Sequence, residues 1–189
     1  MTLLTLVRHG ETDWNAERRL QGRTDIPLNT RGQAQAHAAA TLLDAHSATL
    51  GPVISSPLGR AAATADAIAQ RHGLVRAPHR PDLTERGFGE AEGLGVLEAD
   101  ERWPDGVFPG AETAEECAAR GAAEFHALAR SRDGLIVVAH GALIALALRE
   151  LTEDASFLFP VNGEVIRVTA RSTGPWRVLE RLAPDVPAV

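Results

Sequence analysis

Two histidine–glycine pairs in the chain each close a short apolar run: Arg8-His9-Gly10 follows Thr2 to Val7, and His140-Gly141 follows Leu135 to Ala139. A third apolar run, Pro52-Val53-Ile54, stops at Ser55-Ser56, with Arg60 a few residues further on. Apolar runs of this length bounded by glycine and polar residues read as buried strands. In open α/β sheets, ligands bind beyond the carboxyl ends of the strands. Arg8, His9, Arg60 and His140 are therefore expected to meet at one edge of a sheet, beside helix N-termini that already favour anions. Planar guanidinium forks grip tetrahedral oxyanions in pairs, so a phosphate is the natural occupant.

The elements needed to hold these groups are legible along the chain. Thr30 and Gln33 have capping-box spacing ahead of an alanine-rich helix reaching about Asp44. Ser56 reads as an N-cap and Pro57 as the first position of a helix to about Arg71. Thr113 and Glu116 repeat the capping-box spacing before a helix ending near Arg130, and Ala142 to Leu151 follows the third strand as another helix. Val165 to Ala170 and Trp176 to Leu182 close the chain as strands around the turn signal Ser172-Thr173-Gly174-Pro175. Alternating strands and helices predict a three-layer α/β/α sandwich with a mostly parallel central sheet, in one domain spanning residues 1–189. The Gly-, Pro- and acid-rich stretch from Arg86 to Ala111 carries no clear element and reads as an insertion or lid. Its aromatic residues Phe88, Trp103 and Phe108 either line a substrate pocket or anchor the loop.

With these residues in place, the chain resembles the histidine phosphatase, or phosphoglycerate mutase-like, superfamily. The resemblance rests on LVRHGETDWN from Leu6, LQGRTDIPLNTRGQAQA from Leu20, SSPLGRAAATA from Ser55, LTERGFGEAEG from Leu83, PGAET from Pro109 and VVAHGALI from Val137, all in family order. It implies that His9 is the phosphorylated histidine and Glu85 the proton donor. It further implies that Arg8, Arg60 and His140 form the phosphate pocket, that Asn15 is a pocket position, and that Gln21 and Gly22 touch substrate. A carboxylic acid in that role protonates the leaving alkoxide and then takes a proton from the attacking water. Glu90 and Glu92 lie near Glu85 as rival carboxylates. Glu11, beside the nucleophile, would be held ionised by the arginines.

Composition narrows the alternatives. The chain has 189 residues, 19 basic and 25 acidic, for a formal charge of −6. That balance argues against nucleic-acid or anionic-membrane partners and leaves a small-molecule phosphate ester as the expected one. All 19 cations are arginine, which excludes Schiff-base chemistry and a P-loop lysine. Gly87, Gly89 and Gly93 miss the dinucleotide fingerprint by one residue, and no G-x-S-x-G surrounds Ser55 or Ser56. The other histidines lack metal-ligand spacing, so neither metal nor cofactor is expected. The single Cys117 reads as a buried structural thiol, and the N-terminus as a strand rather than a signal, which makes the cytoplasm the default. Hydrolysis through phospho-His9 is the favoured reaction. A phosphoglycerate mutase is the rival, since it shares the nucleophile, and a non-catalytic phospholigand-binding protein is the third reading. A mutase must hold a second phosphate, and the 86–111 stretch offers only Arg86 and Arg102 among many acids.

Overall fold

Residues 2–8 alternate side chains across a sheet that is covered on both faces. In the computed structural model, which describes residues 1–171 and 173–187, Thr2–Arg8 forms strand β1. Leu4 and Leu6 face one core, and Val7 the other. The elements that follow are α1 (Asp13–Ala16), α2 (Thr30–Leu42), β2 (Val53–Ser55), α3 (Gly59–His72), α4 (Val96–Arg102), α5 (Ala114–Ser131), β3 (Leu135–Ala139), α6 (Gly141–Thr152), β4 (Val165–Ala170) and β5 (Arg177–Leu182). The expected turn signal at Ser172 falls partly outside the described residues.

The sheet order is β2-β3-β1-β4-β5. β2, β3 and β1 pair in parallel; β4 runs antiparallel to both β1 and β5, so four strands point one way and β4 alone is reversed. β3 explains the architecture in miniature. All five of its residues are buried, with Leu135, Val137 and Ala139 facing the α5/α6 side and Ile136 and Val138 facing α2/α3. Each buried large aliphatic of this kind is worth roughly 1.5–3 kcal/mol over an exposed one. Two cores, one on each face, make the three layers.

The α5/α6 pair packs unusually closely at Gly121, where a Cβ would lie 2.9 Å from both Ala147 Cβ and Leu143 Cδ1. Thr113 and Glu116 form the expected capping box at the head of α5. Two other caps differ from the local spacing. Asn29, not Thr30, caps α2, its side chain accepting from Gly32 N at 2.8 Å. α3 starts two residues later than Ser56-Pro57 indicates, and its Gly59 N–H donates to the Asp25 carboxylate at 2.9 and 3.0 Å. A cap supplied from 34 residues upstream leaves no local signature.

The 86–111 stretch is more structured than its composition indicates. It holds a 3₁₀ turn over Gly89–Ala91 and the seven-residue α4, and it is stitched to residues 18–20 by Leu20 N→Leu94 O, Gly93 N→Leu20 O and Val96 N→Arg18 O. α4 is short, flanked by glycine, and buries only Ala99, so it has no apolar period to read. Trp103 and Phe108 pack edge-on with ring centroids 5.6 Å apart, and Phe108 in turn meets Phe88 at 6.2 Å. Trp103 and Phe108 anchor the segment. Among the described residues no helix is long and apolar enough to cross a membrane.

Candidate active site

The three parallel strands end level. Arg8 of β1 is in register with Ala139 of β3, and Ser55 of β2 with Val138. His9 N donates to Ala139 O at 3.1 Å and Ser56 N to Val138 O at 3.0 Å, so His9, Ser56 and His140 leave the sheet along one edge. The convergence expected from the strand ends is present.

His9 is buried, and its Nδ1 lies 2.6 Å from Gly10 O. A carbonyl only accepts, so Nδ1 carries the proton and Nε2 keeps its lone pair. Arg60 Nε donates to that Nε2 at 3.3 Å. Gly10 must lack a side chain, because a Cβ there would lie 2.1 Å from Gly32 O. Arg60, in the first turn of α3, is 1% exposed and donates Nη1 to Thr24 O and Nη2 to Gly22 O, both at 2.8 Å. The 22–24 loop thereby aims a guanidinium at His9. Arg8 donates Nη1 to Pro160 O at 2.7 Å, while its buried Nε has no partner within the protein. Gly141 lets this guanidinium close on the start of α6; a Cβ there would sit 3.2 Å from Arg8 Cζ.

His140 is fully buried beside His9, with ring centroids 5.1 Å apart, and among the described residues neither ring nitrogen has a partner. Arg8 Nε is an N–H donor in the cavity wall that suits an oxyanion acceptor, and the neutral His140 ring beside His9 adds one unpartnered N–H and one unpartnered lone pair. Glu85 accepts from Ala142 N at 3.1 Å, Leu143 N at 2.9 Å and Arg86 N at 2.9 Å, so its carboxylate rests on the N-terminus of α6.

These groups border a cavity of about 290 Å³ whose walls include Arg8, His9, Asn15, Gln21, Gly22, Arg60 and Glu85, with Arg19, Leu20, Phe88, Val96 and Phe159 towards the mouth. His140 lies behind the wall rather than in it, and α6 presents Gly141 and Ala142 instead. Four larger depressions, of about 540, 530, 480 and 460 Å³, are lined by none of His9, His140 and Glu85. Of the rival carboxylates, Glu11 is turned to Arg31 at 2.7 Å, and Glu92 accepts from Arg23 N, Thr24 N, Thr24 Oγ1 and Phe88 N. Glu90 is exposed. Glu85 is the one carboxylate in the cavity wall among the described residues.

The two positions expected to touch substrate, Gln21 and Gly22, are built from the same parts. Gln21 Oε1 accepts from Thr12 Oγ1 at 2.9 Å. Gly22 has φ +54, and a Cβ there would lie 2.0 Å from Glu92 Oε1. Asn15 completes the capping box of α1 with Thr12. Asn162, which no sequence signal singles out, donates Nδ2 to His9 O at 3.2 Å and to Asn15 Oδ1 at 3.1 Å. It reaches the site from the connection between α6 and β4, as do Phe159 and Pro160. Cys117 is buried, and burial pushes its thiol up to about 12, which leaves it unreactive.

The comparisons with known proteins agree with this geometry. The profile of the histidine phosphatase superfamily, branch 1, matches residues 4–178. The chain belongs to that superfamily. Among its relatives, the uncharacterized phosphatase PhoE of Bacillus subtilis is 39% identical over 155 residues, covering 80% of this chain and 78% of that protein. The probable phosphoglycerate mutase GpmB of Cronobacter sakazakii is 40% identical over 131 residues, 64% of this chain and 60% of that protein. A mycobacterial glucosyl-3-phosphoglycerate phosphatase solved with VO3 superposes with a TM-score of 0.84 at 27% identity, covering 95% of this chain and 98% of the other. This histidine phosphatase is a phosphoric monoester hydrolase.

A pH dependence of stability follows from the buried histidine pair. Burial, then the charges of Arg60 and Arg8, hold His9 well below 6.5; burial, then His9, Arg60 and Arg8, do the same for His140. Below pH 6.5 the unfolded chain protonates both rings while the folded phosphatase does not. The unfolded state then binds more protons, and stability falls as pH drops through 6.5 towards the depressed folded values. Above 6.5 the pair contributes no slope. Each ring supplies at most about 1.4 kcal/mol per pH unit. Urea midpoints should hold between pH 8 and 7 and decline from 6.5 to 5.5; a midpoint unchanged over that lower interval would contradict a neutral pair.

Proposed function

We propose that the chain is a single-domain, cytoplasmic, metal-independent phosphatase that hydrolyses a small phosphorylated metabolite through phospho-His9, with the 86–111 segment as its lid. His9 Nε2 forms a bond to phosphorus as the ester P–O bond breaks. Glu85, in its acid form, gives its proton to the departing alkoxide. The resulting carboxylate then takes a proton from water, whose oxygen attacks phosphorus while the P–N bond breaks, releasing phosphate. Arg8 and Arg60 neutralise the equatorial oxygens, and His140, packed against the His9 ring, completes the phosphate pocket from behind. Asn15 belongs to the phosphate pocket, and Gln21 and Gly22 contact the rest of the substrate. The reading is carried by one observation: a neutral imidazole, its tautomer set by Gly10 O, facing a cavity whose wall also holds the buried Arg60 guanidinium and the half-buried one of Arg8.

Hydrolysis is favoured over mutase chemistry by the mouth of the cavity. Beyond Arg8 and Arg60 its wall holds a single further cation, Arg19, which already donates to Glu17 at 2.6 Å and Gly93 O at 2.9 Å. A second phosphate would find no free guanidinium there. The apolar side chains of Leu20, Phe88, Val96 and Phe159 suit the organic part of a monoester, and phosphoglycerate-type esters belong on the panel because the mycobacterial relative is a glucosyl-3-phosphoglycerate phosphatase. The test is phosphate release from a metabolite panel in the presence of EDTA. At least one physiological monoester should be hydrolysed at full rate, and in a separate assay without the chelator, which binds vanadate, orthovanadate should inhibit. Isomerisation of phosphoglycerate without phosphate release would favour the mutase, and loss of activity restored only by a divalent ion would contradict the arginine-only clamp.

A further inference from the structure

Glu85 sits in a stretch with no regular structure, between the 3₁₀ turns Pro81–Leu83 and Gly89–Ala91, so neither a helix nor a strand ladder fixes its backbone. The backbone is fixed instead from α5, by Arg120. Its Nη1 donates to Asp82 O at 2.7 Å and Thr84 O at 2.9 Å, and its Nη2 lies 3.5 Å from Glu85 O. The same guanidinium grips Glu112 with both Nε and Nη2 at 2.8 Å. Glu112 in turn closes the other flank: its N–H donates to Gly87 O at 2.9 Å, its carboxylate accepts from Gly87 N at 3.3 Å, and its carbonyl accepts from Arg86 Nε at 2.8 Å. One ion pair therefore holds the chain on both sides of Glu85.

The side chain of Glu85 is fastened elsewhere, to Ala142 N and Leu143 N of α6. The residue is stretched between two helices, its backbone on α5 and its carboxylate on α6. The spacing of those helices is set next door to Arg120, where Gly121 lets Leu143 and Ala147 approach. Resting on the reading of Glu85 as the proton donor, we propose that the Arg120–Glu112 pair is a positioning device that sets the carboxylate against the leaving-group oxygen. Neither residue borders the cavity. Their effect is on alignment rather than on phosphate binding. A misplacement of about 1 Å in such a group costs on the order of 100-fold in rate.

The experiment separates proton donation from phosphate capture by comparing burst rates of enzyme phosphorylation with an alkyl phosphate and with p-nitrophenyl phosphate, whose leaving group needs no acid. Arg120→Met should slow the alkyl burst about 30- to 100-fold, leave the p-nitrophenyl burst within about threefold, and leave orthovanadate inhibition within about threefold. Glu112→Gln should move the same ratio in the same direction. Arg120→Lys, which can reach only some of these acceptors, should restore part of it. If Arg120→Met does not fold, the lysine and Glu112→Gln variants carry the same comparison. Equal losses on both substrates, or no loss on either, would overturn the positioning role. Glu85→Gln without any leaving-group selectivity would overturn the acid assignment itself. A selective Glu85→Gln beside unselective Arg120 and Glu112 variants would sink the clamp alone.

Discussion

His9→Ala should abolish turnover, lowering kcat by a factor on the order of 10⁴ or more, while the protein remains folded. The size follows from chemistry: without a nucleophile the double displacement has no first step, and only binding and electrostatic stabilisation remain. A factor of 10⁴ corresponds to about 5.5 kcal/mol of transition-state stabilisation. The fold should survive because the ring's two polar contacts are to its neighbour Gly10 O and to Arg60, not to either core. Phosphate release, with circular dichroism as the control for folding, measures both halves. Wild type incubated with substrate and quenched should carry acid-labile, base-stable phosphate, and the alanine variant none. Substantial activity in the variant would remove His9 from the mechanism.

Glu85→Gln should give the second largest effect, and its signature is selectivity. Alkoxides leave poorly without a proton, and a positioned acid is worth roughly 10²–10⁴ in rate. The phosphorylation burst with an alkyl phosphate should fall by about that range, and the burst with p-nitrophenyl phosphate by less than about tenfold. Glutamine keeps the shape and one oxygen to accept from Leu143 N and Arg86 N, but turns an amide towards the N–H of Ala142. Some stability is lost to that donor–donor contact. A ratio of burst rates is unaffected by the loss, whereas steady-state turnover is not, because the same carboxylate serves as base in the second half. Equal losses on both substrates would make Glu85 a structural or binding residue.

What the sequence made legible is whatever short-range pattern encodes. The β3 run from Leu135 to Ala139 is apolar without interruption because both of its faces are covered, and its end places His140. Level strand ends then bring Arg8, His9 and Arg60 together, so their convergence could be read from strand positions alone. Glu85 could not. Its placement depends on Arg120 of α5 and Ala142 of α6, 35 and 57 residues further on, and only the family resemblance pointed to it. Asn162 and Arg120 were invisible for a related reason: Asn162 meets His9 O and Asn15 Oδ1, and Arg120 meets Asp82 O and Thr84 O, all far away in sequence, and a single polar side chain carries no period that points to them. The α3 cap failed similarly, with Asp25 standing in for Ser56.

The level strand ends also couple error in the core to error in chemistry. A slip of one residue between β1 and β3 would carry His140 about 3.3 Å along the strand relative to His9. It would also turn Leu135, Val137 and Ala139 from the α5/α6 core into the α2/α3 core. The same side chains that make such a slip intolerable for packing thus act as the gauge for the distance between the two histidines. Substitutions deep in β3 that loosen packing, such as Val137→Ala, should therefore broaden the reactive geometry while the protein is still folded.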